Sequence, residues 1–128
     1  MKELESDPIL KAKRFIEANY GSNISLEDIA GAASLSKYYF VRLFEKETGC
    51  APWEYLTRTR VRAAMQLLAG SRTTVNEIAV ACGFANASGL IRVFRRYADC
   101  TPGAFRRQFR SKPGETVCFG DHMDCFSP

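Results

Sequence analysis

The sequence predicts an all-α fold in which one helical hairpin occurs twice. Three observations predict it. Residues 25–46 and residues 74–96 carry the same pattern of apolar, small and charged residues. Apolar residues recur at the three- and four-residue steps of a helix. Each copy opens on a hydroxyl residue followed three positions later by an acid, the signature of a capped helix start. In the alignment, Leu26, Asp28, Ile29, Ala30, Ala33 and Leu35 meet Val75, Glu77, Ile78, Ala79, Cys82 and Phe84 at an offset of 49. One inserted residue then raises the offset to 50, and Arg42, Phe44, Cys50, Pro52 and Tyr55 meet Arg92, Phe94, Cys100, Pro102 and Phe105. Two copies are too few for a solenoid, so the pattern is a duplicated module with one connector.

The helices follow in order. Asp7-Pro8 starts the first, with Asp7 as N-cap and Pro8 at the first helical position; Leu10, Phe15, Ile16 and Tyr20 form its apolar stripe, and Gly21 ends it. Residues 25–33 and 36–48 form the first hairpin: Ser25 and Asp28 cap its first helix, Ala33-Ser34-Leu35-Ser36 is the turn, and Phe40, Leu43 and Phe44 line the inner face of its second helix. Gly49 is a suitable stop. A long helix runs from Pro52 to about Leu68 with Trp53, Leu56, Val61, Ala64, Met65 and Leu68 on its apolar side, and Gly70-Ser71-Arg72-Thr73 turns the chain. Seventeen residues at about 1.5 Å each span roughly 25 Å. Thr74 and Glu77 cap the first helix of the second hairpin, residues 75–82, and residues 87–98 form its partner with Leu90, Val93 and Phe94 inward. Thr101-Pro102 opens a last helix to about Phe109. From residue 113 the helical period stops, and a flexible tail is expected over 113–128. The expected division is thus residues 1–50, a connector over 51–70, residues 71–112, and the tail.

Two helices meeting through a short turn with small alanines at their crossing have helix-turn-helix geometry, in which the second helix lies in a DNA major groove. Two hairpins that merely pack on each other would show the same pattern, and the charge distribution tips the balance. Residues 1–54 hold 7 basic and 9 acidic side chains, residues 55–112 hold 11 and 2, and residues 113–128 hold none and 3. The middle stretch carries a net +9 of a whole-chain +4, and nine of its basic residues are arginines between positions 58 and 107, which suits phosphate. No apolar run reaches the length of a membrane span, and the first ten residues are too polar for a secretion signal. A cytoplasmic location with reduced thiols is expected for the five cysteines.

The residues that carry these features resemble one family, the AraC/XylS transcription regulators, in their DNA-binding domain. The matching run is Ser36, Phe40-Val41-Arg42-Leu43-Phe44 and Thr48-Gly49, then Pro52, Tyr55-Leu56, Arg60, Ala64 and Leu67-Leu68. It continues through Glu77-Ile78-Ala79, Cys82-Gly83-Phe84, Arg92-Val93-Phe94, Thr101-Pro102 and Phe105-Arg106, so that about residues 8–110 are covered. The resemblance implies seven helices, as two helix-turn-helix subdomains joined by a long central helix. It implies a transcription regulator, usually an activator, that reads two successive major-groove segments of double-stranded DNA and works with RNA polymerase. The length is similar to that of single-domain members and equally to that of the excised domain of a larger regulator; a monomer is expected if this is the whole chain.

The resemblance places base contacts at Tyr38, Val41 and Arg42 in the first recognition helix and at Ala87, Ser88, Ile91 and Arg92 in the second. Positions 38, 41, 42 and 45 share one helix face, opposite Phe40 and Phe44. Arginine can grip guanine with two hydrogen bonds, whereas Val41, Ala87 and Ile91 can touch only thymine methyls, so a relaxed, T-rich or shape-dependent site is expected. Phosphate contacts are expected from Lys37, Lys46, Arg72, Arg95, Arg96, Arg106 and Arg107. Arg60 is equally suited to pairing with an acid inside the fold. Gly89 departs from the family's aromatic, and a glycine inside a helix costs about 1 kcal/mol, so a looser second recognition helix is expected.

Other chemistry finds little support. The one histidine, His122, sits in the tail, which leaves no Ser–His or Cys–His pair in the helical part, and no glycine-rich phosphate loop is present. No enzyme activity and no cofactor are expected. Cys118, His122 and Cys125 have ligand-like spacing but lack a compact fourth ligand, so no metal is expected. Cys50 and Cys100, at equivalent repeat positions, read as structural thiols rather than a redox pair. The alternative to DNA binding is a protein-binding adaptor that has lost DNA readout.

Overall fold

The computed structural model describes residues 7–109, and among these the chain forms seven helices and no strand. They are α1 (Pro8–Asn19), α2 (Leu26–Ala32), α3 (Lys37–Thr48), α4 (Pro52–Gly70), α5 (Val75–Ala81), α6 (Ala87–Ala98) and α7 (Pro102–Phe109). The expectations for the tail, its Cys118, His122 and Cys125 included, fall outside the described residues.

Local chemistry explains where the helices begin. Asp7 accepts the Ile9 amide at 2.9 Å ahead of Pro8. α2 and α5 each start on a full capping box: Ser25 exchanges hydrogen bonds with Asp28, and Thr74 with Glu77. Each box satisfies amides that have no partner inside the helix and sets an acid at the positive helix end. Ser36 caps α3, Asn86 caps α6, and the Ala104 amide finds Thr101. α3 ends where Gly49 turns left-handed (φ 84°), and α6 ends in the same way on Asp99 (φ 59°).

α4 runs two residues further than its pattern suggests, through Ala69 and Gly70, because Ala69 is buried under the second module. Its 19 residues span about 28 Å at 1.5 Å each. It belongs to two cores. Tyr55 and Leu56 join Ile16, Ile29, Phe40 and Phe44 in the first. Val61, Ala64, Met65 and Leu68 join Ile78, Leu90, Phe94 and Phe105 in the second. Trp53 joins neither: it stands 51% exposed on the first turn of α4, where Pro52 and Tyr55 face inward instead.

The duplication extends to ring packing. Phe44 and Tyr55 meet edge to face, centroids 5.6 Å apart at 79°, and their repeat equivalents Phe94 and Phe105 do so at 5.3 Å and 81°. Tyr55 adds a hydroxyl that donates to Glu17 at 3.1 Å, which ties α4 to α1.

Candidate nucleic-acid interface

Each module presents α3 or α6 across the mouth of its hairpin, and a polar tie holds the start of that helix. In the first module Glu27, at the second position of α2, accepts from Lys37 Nζ at 3.1 Å. In the second, Asn76, at the second position of α5, accepts from the Ala87 amide at 3.3 Å. The same positions of the repeat make the same brace with different chemistry. Lys37 lies 5.5 Å from the Tyr38 ring centroid as well. The side-chain hydrogen bond with Glu27 holds the Lys37 ammonium above its ordinary pKa and the Glu27 carboxyl below its own.

The outward face of α3 carries Tyr38, 78% exposed, then Arg42 and Glu45, with Val41 half-buried against the core behind them. The outward face of α6 carries Ser88, Arg92 and Arg95 exposed, with Ala87 and Ile91 half-buried, and Ser88, Ile91, Arg92 and Arg95 border a shallow hollow. Among the described residues neither Arg42 nor Arg92 is held by an acid or a carbonyl. Arg72, Arg96, Arg107 and Lys46 are also exposed.

Two arginines turn inward. Arg106 was expected at phosphate. Its Nε donates to the Leu68 carbonyl at 3.0 Å, and its Nη2 donates to the carbonyls of Ser71 at 3.1 Å and Thr73 at 2.6 Å. It satisfies the Leu68 carbonyl left over in the last turn of α4 and, through Ser71 and Thr73, pins the turn into α5. Arg60 does the equivalent for the first module, and it does so without an acid. Nε donates to the Tyr20 carbonyl at 2.8 Å and Nη2 to that of Ser22 at 3.0 Å. Burial lowers its pKa, but arginine keeps its proton in proteins. The acid pairing on α4 falls to Arg58 instead, which bonds Glu54 one turn away and lies over the Tyr97 ring.

Gly89 is not in a helix interior. It is the third residue of α6, and its amide donates to the Asn86 cap at 3.0 Å. α6 is continuous from Ala87 to Ala98, so the glycine does not interrupt it.

Glu45, on the face that positions 38, 41 and 42 share, brings an acid to the first module. It is exposed one turn beyond Arg42, on the same face as Tyr38. The offset of 50 pairs it with Arg95, so the two reading faces differ in charge at one equivalent place.

The three free thiols among the described residues, Cys50, Cys82 and Cys100, suit a structural role. Cys82 is fully buried, and burial pushes its pKa up to about 11. Burial, and then the charge of Asp99, raises Cys100. No group of three or more potential metal ligands occurs among the described residues. No helix among them is long and apolar enough to cross a membrane.

Two capped helices, one in each hairpin joined by one shared connector, with arginines at matching places, define a tandem helix-turn-helix module. The helix-turn-helix domain family matches residues 29–108. The chain is 38% identical over 98 residues to the regulatory protein PocR of Salmonella typhimurium, covering 77% of this chain and 32% of PocR. Among solved structures, the DNA-binding domain of AdpA in complex with a target DNA is 32% identical with a TM-score of 0.76, over 80% of this chain and 93% of that one. An AraC-type regulator from Chromobacterium violaceum is 30% identical with a TM-score of 0.75, over 79% and 90%. The chain belongs to the AraC family of transcription regulators, through its DNA-binding domain. It spans about a third of the length of the curated relatives it matches.

Proposed function

We propose that this chain is a DNA-binding transcription regulator, and an activator as is usual in its family, that lays α3 and α6 into two successive major-groove segments of one duplex. The observation that carries this reading is the pair Arg42 and Arg92, exposed at equivalent places on two capped helices and unpaired among the described residues. Each is placed to bond a guanine edge or a phosphate. Tyr38 and Val41 beside Arg42, and Ala87, Ser88 and Ile91 beside Arg92, supply ring, methyl and hydroxyl contacts. Because only Tyr38 and Ser88 among these five carry a side-chain hydrogen-bonding group, the site is T-rich or read by shape outside the two arginine contacts.

Phosphates are gripped by Lys46, Arg72, Arg95, Arg96 and Arg107, and by Lys37 beyond its bond to Glu27. The second module supplies most of this charge, since Arg92, Arg95 and Arg96 stand on α6 without an acid, while α3 sets Glu45 and Glu47 against Arg42, Lys37 and Lys46. The chain performs no chemical step and needs no cofactor. Its partners are double-stranded DNA and RNA polymerase, and its compartment is the cytoplasm. The AdpA domain bound to its target DNA supports the duplex as partner.

Selection of preferred duplexes, followed by titration at two salt concentrations, tests the reading. A selected site with two segments about one helical turn apart and a steep salt slope is the expected result. Arg42→Ala and Arg92→Ala should each lose base preference at one segment only, by about 1–3 kcal/mol. Binding that ignores salt would refute the reading and favour a protein partner.

A further inference from the structure

The two modules share a connector helix, but a helix alone does not fix how one module is turned about it. A second contact does, and it is made of backbone. The end of α1 lies against the turn between α5 and α6. Gly21 is packed so closely that a Cβ placed on it would lie 2.8 Å from the Ala81 carbonyl oxygen. Gly83 sits at φ +95°, and a Cβ there would overlap the Tyr20 carbonyl oxygen and come within 2.6 Å of Arg60 Nε. Arg60 reaches from α4 between the two surfaces and holds the Tyr20 and Ser22 carbonyls. Tyr20 itself packs on both hydrophobic cores.

We propose that Gly21, Gly83 and Arg60 form a wedge that locks the rotation between the two modules and thereby sets the spacing of DNA segments that this chain accepts. The proposal rests on the DNA-binding reading and adds to it the residues that determine which arrangement of segments is bound. These are positioning residues, since none of them lies on α3 or α6.

Each part of the wedge is needed for a physical reason. The carbonyls of Tyr20 and Ala81 can approach the opposite chain only where no side chain intervenes, which requires glycine at 21 and 83. Arg60 supplies two donors in a fixed fork, so it sets the direction of the α1 exit as well as its distance. One base pair more or less between segments moves the second groove by about 3.4 Å and turns it by about 35°. A locked pair of reading helices cannot follow that change, whereas a hinged pair can.

Gly21→Ala is the clean test, because Gly21 has no left-handed backbone and its obstacle is the other module. Gly83→Ala is less suitable, since its own turn would be strained. Arg60→Gln is the second variant. Two readouts are taken on the full chain. Residual dipolar couplings of backbone amides report whether one alignment tensor fits both modules, with no DNA present. Binding to selected duplexes, with the spacing shortened or lengthened by one base pair, reports the tolerance.

The wild-type chain should fit one tensor and lose roughly tenfold or more in affinity at either altered spacing. Gly21→Ala and Arg60→Gln should separate the tensors and either shift the best spacing or narrow the penalty to about threefold, while binding to a duplex with a single segment stays within about twofold. Two distinct tensors in the wild-type chain would overturn the proposal. So would variants that keep both one tensor and the wild-type spacing penalty. A wild-type chain with one tensor that binds no duplex would refute the DNA reading and the spacing claim with it, and the tensors of the variants would still decide whether these residues lock the modules.

Discussion

Replacing Arg106 by methionine separates two roles that predict opposite results. The side chain is half-buried, and its Nε and Nη2 donate to the carbonyls of Leu68, Ser71 and Thr73 at 3.0, 3.1 and 2.6 Å. Methionine keeps most of the aliphatic stem and removes the donors. A hydrogen bond from a charged donor contributes about 1.5–3 kcal/mol net, which for three bonds sets an upper range near 4.5–9 kcal/mol. The true cost is smaller, because the bonds share one guanidinium and the Ser71 and Thr73 carbonyls lie in a partly exposed turn where water can replace the donor. A loss of about 2–4 kcal/mol is therefore expected. At roughly 4 °C per kcal/mol for a domain of this size, the melting midpoint should fall by about 8–16 °C. Thermal unfolding followed by circular dichroism measures this. The salt slope of DNA binding, measured well below the midpoint, should be unchanged. A phosphate contact would behave in the reverse way, with an unaltered midpoint and a slope shallower by about 0.9. That second outcome would refute the inward assignment of Arg106.

Gly89→Ala should stabilise the chain by about 0.5 kcal/mol, since an added Cβ meets only Asn86 Oδ1 at 3.8 Å and the first turn gains helix propensity; a lower midpoint would show a tighter site than the geometry allows. Glu45→Ala should raise affinity for duplex DNA several-fold at low salt, with the gain shrinking as salt rises, because it removes a like charge facing the phosphates; an unchanged titration would place Glu45 away from the duplex. Burial first, and then the charge of Glu17, raises the Tyr55 hydroxyl above its ordinary 10.0. The unfolded chain therefore loses this proton first, so the stabilisation is complete below about pH 10 and declines as pH rises beyond it. Tyr55→Phe should flatten that alkaline decline and cost about 1 kcal/mol near neutrality through the lost bond to Glu17; equal alkaline slopes in urea denaturation would contradict this.

Much of the fold could be read from the residues because its rules are local. Ser25 with Asp28 and Thr74 with Glu77 announce helix starts within four residues, and the offset of 49 or 50 makes each module a check on the other. Exposure of Arg42 and Arg92 followed from the same periodicity. The inward arginines were hidden for a reason. Arg60 and Arg106 bind backbone carbonyls, and every residue carries a carbonyl, so no residue type marks the partner. Trp53 fits the apolar step of α4 yet stands outside, because Pro52, Tyr55 and Leu56 take the inward side of that first turn. That Gly89 falls in the first turn of α6 follows from the Asn86 cap, whose bond is a matter of geometry.

α4 passes from one core to the other within a few residues, from Leu56 in the first to Val61 in the second. This constrains how the chain can change over evolutionary time. Loops accept insertions and deletions, but one residue added between positions 57 and 60 would swing everything after it by about 100° and advance it by about 1.5 Å. No neighbouring substitution could restore that alignment. Homologous chains should therefore keep the count of this short stretch fixed, even where its side chains drift.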